Sequence, residues 1–175
     1  MFGKLFGGKK MAALTTGAAA PDFALETLDH KKFSLKDSLA RGPVVLAFFK
    51  VSCPTCQYTF PFLERLFQAY RNQHVTLVGV SQNPAKDTAA FAREQGITFP
   101  MLLDDTSRYP VSNAYGLTTV PTIFWIAGDG EVEISSVGWV KSDFEQLNRR
   151  MAEAESLAPR DIFHPGDDVR DFRAG

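Results

Sequence analysis

The sequence predicts an α/β fold, a three-layer sandwich around a mixed central sheet with an N-terminal β-hairpin extension. Three observations carry that expectation. Two apolar runs of strand length, Val44–Phe49 and Val75–Val80, alternate with segments of helical periodicity, which demands a parallel part of the sheet. Gly128-Asp129-Gly130, between Thr122–Ile126 and Glu131–Val137, marks a late hairpin and hence an antiparallel part. Phe23-Ala24-Leu25 and Lys32-Phe33-Ser34-Leu35, parted by the polar turn at Asp29-His30, read as a small leading hairpin.

The elements follow in order. Val44–Phe49 is continuously apolar, as a strand buried on both faces must be. From Pro54 a helical stripe runs through Leu63, Leu66, Phe67 and Tyr70. Val75–Val80 ends at Ser81-Gln82-Asn83-Pro84, and residues 85–95 suit a helix that Gly96 stops. Phe99–Leu103 reads as a short strand and Ser107–Tyr115 as a short helix ended by Gly116. After the late hairpin, Ser142-Asp143-Phe144-Glu145 has capping-box spacing, and Phe144, Leu147, Met151 and Ala154 form a helical stripe. Residues 1–20 read as a flexible lead, 21–158 as the folded domain, and 159–175 as a tail without periodicity that wraps the surface.

Composition narrows the function. A chain of 175 residues with 45% hydrophobic and 22% charged residues is one globular domain with a core of its own. Fifteen phenylalanines weight that core towards aromatic side chains. A net charge of -1 supplies no attraction for nucleic acid or an anionic membrane, and no apolar run has the roughly 20 residues of a spanning helix. The stretch Met11–Ala20 follows Lys9-Lys10 and ends in Ala18-Ala19-Ala20, which mimics a cleavage site. Thr15, Thr16 and Gly17 spoil it as a signal core, so the expected location is cytoplasmic, with periplasmic the alternative.

The two cysteines lie three positions apart, at Cys53 and Cys56. A disulfide scaffold would scatter its cysteines to clip distant segments. Thiol–disulfide exchange, by contrast, needs one attacking thiolate and a second thiol close enough to release the mixed disulfide. Cysteines at i and i+3 at a helix start share one face and supply both. Val44–Phe49 delivers the chain to that start, where unpaired N–H groups and the helix dipole favour an anionic sulfur. Pro54 at the first helical position loses no hydrogen bond. Cys53 is then the nucleophile and the more exposed sulfur, and Cys56 the resolving thiol. Half of a zinc site and two incidental core cysteines are the competing readings. The strand-then-helix placement argues against the second. For the first, no second cysteine pair exists and His30, His74 and His164 lack paired-ligand spacing, so no metal is expected. Lys50 has two readings, a positive charge near the thiolate or a solvated surface lysine, and is left outside the site.

With those residues in place, the chain resembles the thioredoxin superfamily, and more closely its TlpA/ResA-like and AhpC/TSA-like (redoxin) branch. Ala20-Pro21-Asp22-Phe23, Phe33-Ser34-Leu35, and Phe48 through Cys56 follow that branch's order. Val80-Ser81, Phe91, Phe99-Pro100, Tyr115-Gly116-Leu117 and Val120-Pro121-Thr122 continue it, so that residues 20–157 are covered. The resemblance implies a thioredoxin-like fold and a cis Val120-Pro121 bond lying against the dithiol. It further implies a substrate platform of Val120, Pro121 and Thr122, with free backbone groups at Val120 and Thr122, beside Pro54 and Thr55 of the motif. Pro61 matches the proline that kinks the family's first helix, and Gly138 a glycine that keeps the surface beside the dithiol open.

Departures from the family are specific. Thioredoxins proper carry a buried Asp six residues before the nucleophile, where this chain has Ala47, and usually Trp just before it, where this chain has Ser52. Proton handling in the second exchange step must then use water or another group. Peroxiredoxins carry a threonine three residues before the peroxidatic cysteine; Lys50 or Cys53 stands there instead. Asp167 to Gly175 resembles redoxin-branch tails that continue past such a glycine, which implies a longer chain, even one ending on a redox-active residue. Reading the gene beyond the assigned stop codon tests it.

The expected function is thiol–disulfide oxidoreduction without cofactor. The expected partners are protein or small-molecule disulfides and an electron-donating or electron-accepting redox protein, met by a monomer. A redoxin-type hydroperoxide reductase and a redox-inert binding module on the same fold are the alternatives.

Overall fold

The structure is a computed structural model that describes residues 12–175; the first part of the expected lead, residues 1–11, lies outside the described residues. The hairpin extension is β1 (Ala24–Glu26) and β2 (Lys32–Ser34), paired antiparallel. A one-turn helix, α1 (Leu35–Leu39), follows directly, with the Ser34 hydroxyl accepting from the Asp37 N–H as its cap. Five residues show too little periodicity to be read from sequence, and the strand pattern runs into it without a break.

Five strands make the central sheet in the order β5-β4-β3-β6-β7. They are β3 (Val44–Phe49), β4 (Thr76–Ser81), β5 (Met101–Leu103), β6 (Thr122–Ile126) and β7 (Val132–Val137). β3–β4 and β4–β5 are parallel, whereas β3–β6 and β6–β7 are antiparallel, so the sheet is mixed as expected. Every residue of β3 is buried, because both faces of this central strand are covered.

The two faces are told apart by adjacent phenylalanines. Phe49 packs on Phe60 of α2 (Pro54–Ala69) and on Phe91 of α3 (Ala85–Gln95). Phe48, one residue earlier, points the other way onto Tyr115 and Phe124, and Tyr115 in turn meets Phe23 of the hairpin region. Tyr115 follows α4 (Pro110–Ala114), whose first N–H groups at Val111 and Ser112 donate to the buried Asp104 carboxylate. The last helix, α5 (Lys141–Ala154), covers the same face as α2, through Phe144 against Phe62.

Two expectations are corrected. The capping box at Ser142 is not formed: β8 (Trp139–Val140) feeds α5 without a break, Val140 is the cap residue, and no side chain among the described residues caps it. The tail does more than wrap the surface, since β9 (Phe172–Arg173) pairs antiparallel with β8. The described part of the expected lead is likewise tied down. Gly17 and Ala20 donate to Val132 and Gly130, Val132 donates back to Ala18, and Ala19 bridges Glu131. Backbone pairing of this kind demands no particular side chain, so composition alone shows no sign of it.

Candidate active site

β3 ends at Phe49, and a turn through Lys50–Ser52 carries the chain to Cys53, the N-cap of α2. Pro54 is the first helical residue, where its missing N–H costs nothing. The sulfur of Cys53 does what a Ser or Asp does at other helix starts: it accepts from the Cys56 N–H at 3.1 Å. The Cys53 thiol also donates to the Val120 carbonyl at 3.4 Å. Both cysteines are free, Cys53 half-exposed and Cys56 fully buried, in the order their spacing predicts. Burial pushes the Cys56 thiol far above the ordinary range. The neighbouring Cys53 adds to the rise, and the Lys50 backbone offsets only part of it.

Val120-Pro121 is a cis peptide bond, and through the Val120 carbonyl it lies beside Cys53. Val120, Pro121, Thr122 and Thr55 are buried, and Pro54 is exposed. Of the expected platform, Thr122 is not free: it belongs to β6 and pairs with Phe48 on one side and Val137 on the other. Its hydroxyl turns back to the Thr119 carbonyl. Pro61 sits inside α2, as expected of the family's first helix. Gly138 has φ +74°, and a Cβ there would stand 2.6 Å from the Arg173 carbonyl oxygen. The glycine is therefore needed for a close approach of the tail.

Open space beside Cys53 is a cleft bounded by Lys50, Pro54, Gln82, Leu117, Val120 and Gly175. Lys50 and Gln82, both outside the site expected from the sequence, make its polar rim. Gln82 is positioned by donating to the Ser112 hydroxyl at 3.0 Å, itself held by Asp104. The third neglected contributor is the tail, for the Thr55 hydroxyl donates to the Ala174 carbonyl at 2.6 Å. Among the described residues there is no group of three or more His, Cys, Asp or Glu side chains placed to hold a metal ion.

Parallel and antiparallel strands meeting at β3, a dithiol on the first turn of the following helix and a cis proline against it define a thioredoxin-fold oxidoreductase. Comparison with known proteins agrees. The chain belongs to the AhpC/TSA family, whose family model matches residues 16–135. It is 33% identical over 136 residues to the thiol-disulfide oxidoreductase ResA of Geobacillus thermodenitrificans, covering 77% of this chain and 76% of that one. With ResA of Bacillus subtilis the identity is 32% over 133 residues, covering 75% and 72%. A solved thiol:disulfide interchange protein of the thioredoxin family from Chlorobium tepidum superposes with a TM-score of 0.65 at 26% identity, covering 79% of this chain and 99% of that one.

Proposed function

We propose that the protein carries out two-electron exchange between its Cys53–Cys56 dithiol and a substrate disulfide, with Cys53 as the attacking sulfur. The observation that carries this is the asymmetry of the two sulfurs. Cys53 is at the helix end, reachable and within hydrogen-bonding distance of the Val120 carbonyl, while Cys56 is enclosed. Cys53 attacks one sulfur of the substrate, the substrate S–S bond breaks, and a mixed disulfide forms as the first thiolate departs. Cys56 then attacks the Cys53 sulfur and the second substrate thiol leaves. The two protons of the dithiol end on the two product thiols, and the protein keeps the electron deficit as a Cys53–Cys56 disulfide. Run backwards, the same steps donate a disulfide.

The second step requires the raised Cys56 thiol to give up its proton where Ala47 provides no acid–base group. The substrate sulfur bonded to Cys53 takes that proton as it leaves and the Cys53–Cys56 bond forms. Cys56→Ser should therefore accumulate mixed disulfides through Cys53, resolved by non-reducing electrophoresis and mass spectrometry. Capture through residue 56 in a Cys53→Ser variant would reverse the assignment.

The proposal includes a monomer acting in the cytoplasm. Supporting retention of the segment before Pro21, the backbone of Ala18 and Ala20, at the would-be cleavage site, is hydrogen-bonded into the β6–β7 region. Cell fractionation with N-terminal sequencing, and light scattering on the purified protein, test the two parts. A hydroperoxide reductase gains no support, because the threonine position is taken by Lys50 or Cys53. Reduction of an insulin disulfide, with hydrogen peroxide consumption no faster than that of free thiols, separates the two activities.

A further inference from the structure

The last residues of the chain return to the dithiol along a defined path. Arg65 holds Asp167 through both carboxylate oxygens, at 2.6 and 3.1 Å. The Tyr58 hydroxyl donates to the Asp168 carbonyl and accepts from the Arg170 N–H. The indole N–H of the buried Trp139 donates to the Arg170 carbonyl at 2.6 Å. β9 then adds to β8, Thr55 takes the Ala174 carbonyl, and Gly175 lies so near Val120 that a Cβ would overlap the Val120 carbonyl oxygen and stand 2.7 Å from the Thr119 hydroxyl. The segment thus lies where an extended chain would meet Val120 beside the cis bond.

We infer that residues 170–175 form a removable strap across the polypeptide-facing side of the dithiol, selecting small disulfides over extended polypeptide ones. The inference rests on the proposed exchange function for its substrate, but the strap itself is defined by contacts alone. Small disulfides reach Cys53 through the cleft rimmed by Lys50 and Gln82, which the strap borders and does not fill. An extended polypeptide that pairs its backbone at Val120, as the family resemblance implies, needs the side that Gly175 occupies. The strap is held by polar contacts: Phe172, the sole large apolar side chain in 170–175, is 61% exposed, so little apolar surface opposes its release. A binding-competent fraction limited by an intramolecular occupant lowers apparent affinity by that fraction.

Antiparallel alternation makes Trp139–Arg173 a mutually hydrogen-bonded pair, since the Lys141 N–H donates to Asp171 two residues along. Arg173→Pro removes the N–H that such a pair requires, together with the guanidinium 4.8 Å over the Tyr58 ring, and alters neither cysteine. The test is single-turnover reduction by the fully reduced full-length protein of insulin and, separately, of 2-hydroxyethyl disulfide. In Arg173→Pro the insulin rate should rise about tenfold, with the small disulfide changed by less than about twofold. A synthetic peptide of residues 167–175 at millimolar concentration should bring the insulin rate back down. If Arg173→Pro does not give a native thermal transition, Asp167→Ala, which frees the strap at its Arg65 anchor, should shift the insulin rate the same way by a smaller factor. An unchanged insulin rate, or equal acceleration on both substrates, in a folded variant overturns the strap. Alkylation reads the strap without any exchange: Arg173→Pro should speed labelling of Cys53 by a polyethylene glycol maleimide and leave iodoacetamide labelling unchanged. Should no disulfide be reduced while this labelling difference holds, the exchange reading fails and the strap stands.

Discussion

The surroundings of the two sulfurs differ more than three residues of separation suggest. Around Cys53 are chain turns and polar groups: the Leu117–Val120 loop, Lys50, Gln82 and the returning tail. Around Cys56 is the core, where Phe49 and Phe60 meet at 4.4 Å between ring centroids and every atom of the cysteine is out of solvent. One turn of helix carries the chain from one setting to the other. A dithiol of this kind gets its division of labour from where α2 crosses the surface, and not from any chemical difference between the residues.

The sharpest way to break that comparison is to remove each sulfur in turn. Cys53→Ser should drop exchange to the buffer background, since a hydroxyl does not replace the attacking thiolate, and should leave thermal stability nearly unchanged. Cys56→Ser should allow the first attack and stall the second, and should also destabilise the fold. A buried hydroxyl in place of a sulfur that behaves as a small apolar group costs about 1–3 kcal/mol, read as a lower midpoint in urea. If the two variants lose equal stability, the surroundings are not as different as described.

Alkylation sharpens the same contrast more gently. Iodoacetamide at neutral pH should label Cys53 alone, and raising the pH to 9 should still leave Cys56 unlabelled, because burial both shields it and holds it protonated. Early modification of Cys56 would contradict its enclosure.

The smallest expected effect lies on the outer side, at the strap's anchor. Arg65 first, and then the His164 N–H, hold the Asp167 carboxyl down at about 2, below its ordinary 3.8. A depressed carboxylate contributes stability that is fully present above its unfolded value and is lost as pH falls through 3.8 towards 2. Asp167→Asn should accordingly flatten the stability curve between pH 5 and pH 2 by a small amount, measured by urea unfolding at each pH. A steeper acid dependence in the variant would remove the anchor.

The core elements were legible because their signals are local. Six consecutive apolar residues at Val44–Phe49 read as a doubly covered strand, and the i, i+3 cysteines followed by the stripe from Leu63 and Leu66 to Phe67 read as one helix. Short range also explains two errors. Ser142 has capping-box spacing, yet β8 pairing with β9 holds Trp139 and Val140 extended up to Lys141 and moves the helix start ahead of it. Thr122 looks available beside Pro121, yet its backbone faces Phe48 of β3, and Val137 of β7 flanks it as a non-hydrogen-bonded neighbour.

By itself the sequence determined where the dithiol sits, the order of the central strands and of the longer helices, and that Cys56 faces inward while Cys53 faces out. Each of these follows from spacing within a few residues, which one periodicity or one helix terminus settles. Only the tertiary structure decided what the ends of the chain do and what lines the cleft. Glu155 shows why: its buried carboxylate accepts the N–H groups of His74 and Val75, some 80 positions away. The Thr55–Ala174 bond spans 119 positions. Contacts of that range are made by backbone groups and single polar atoms, which leave no pattern along the chain and exist only once the sheet has brought distant segments together.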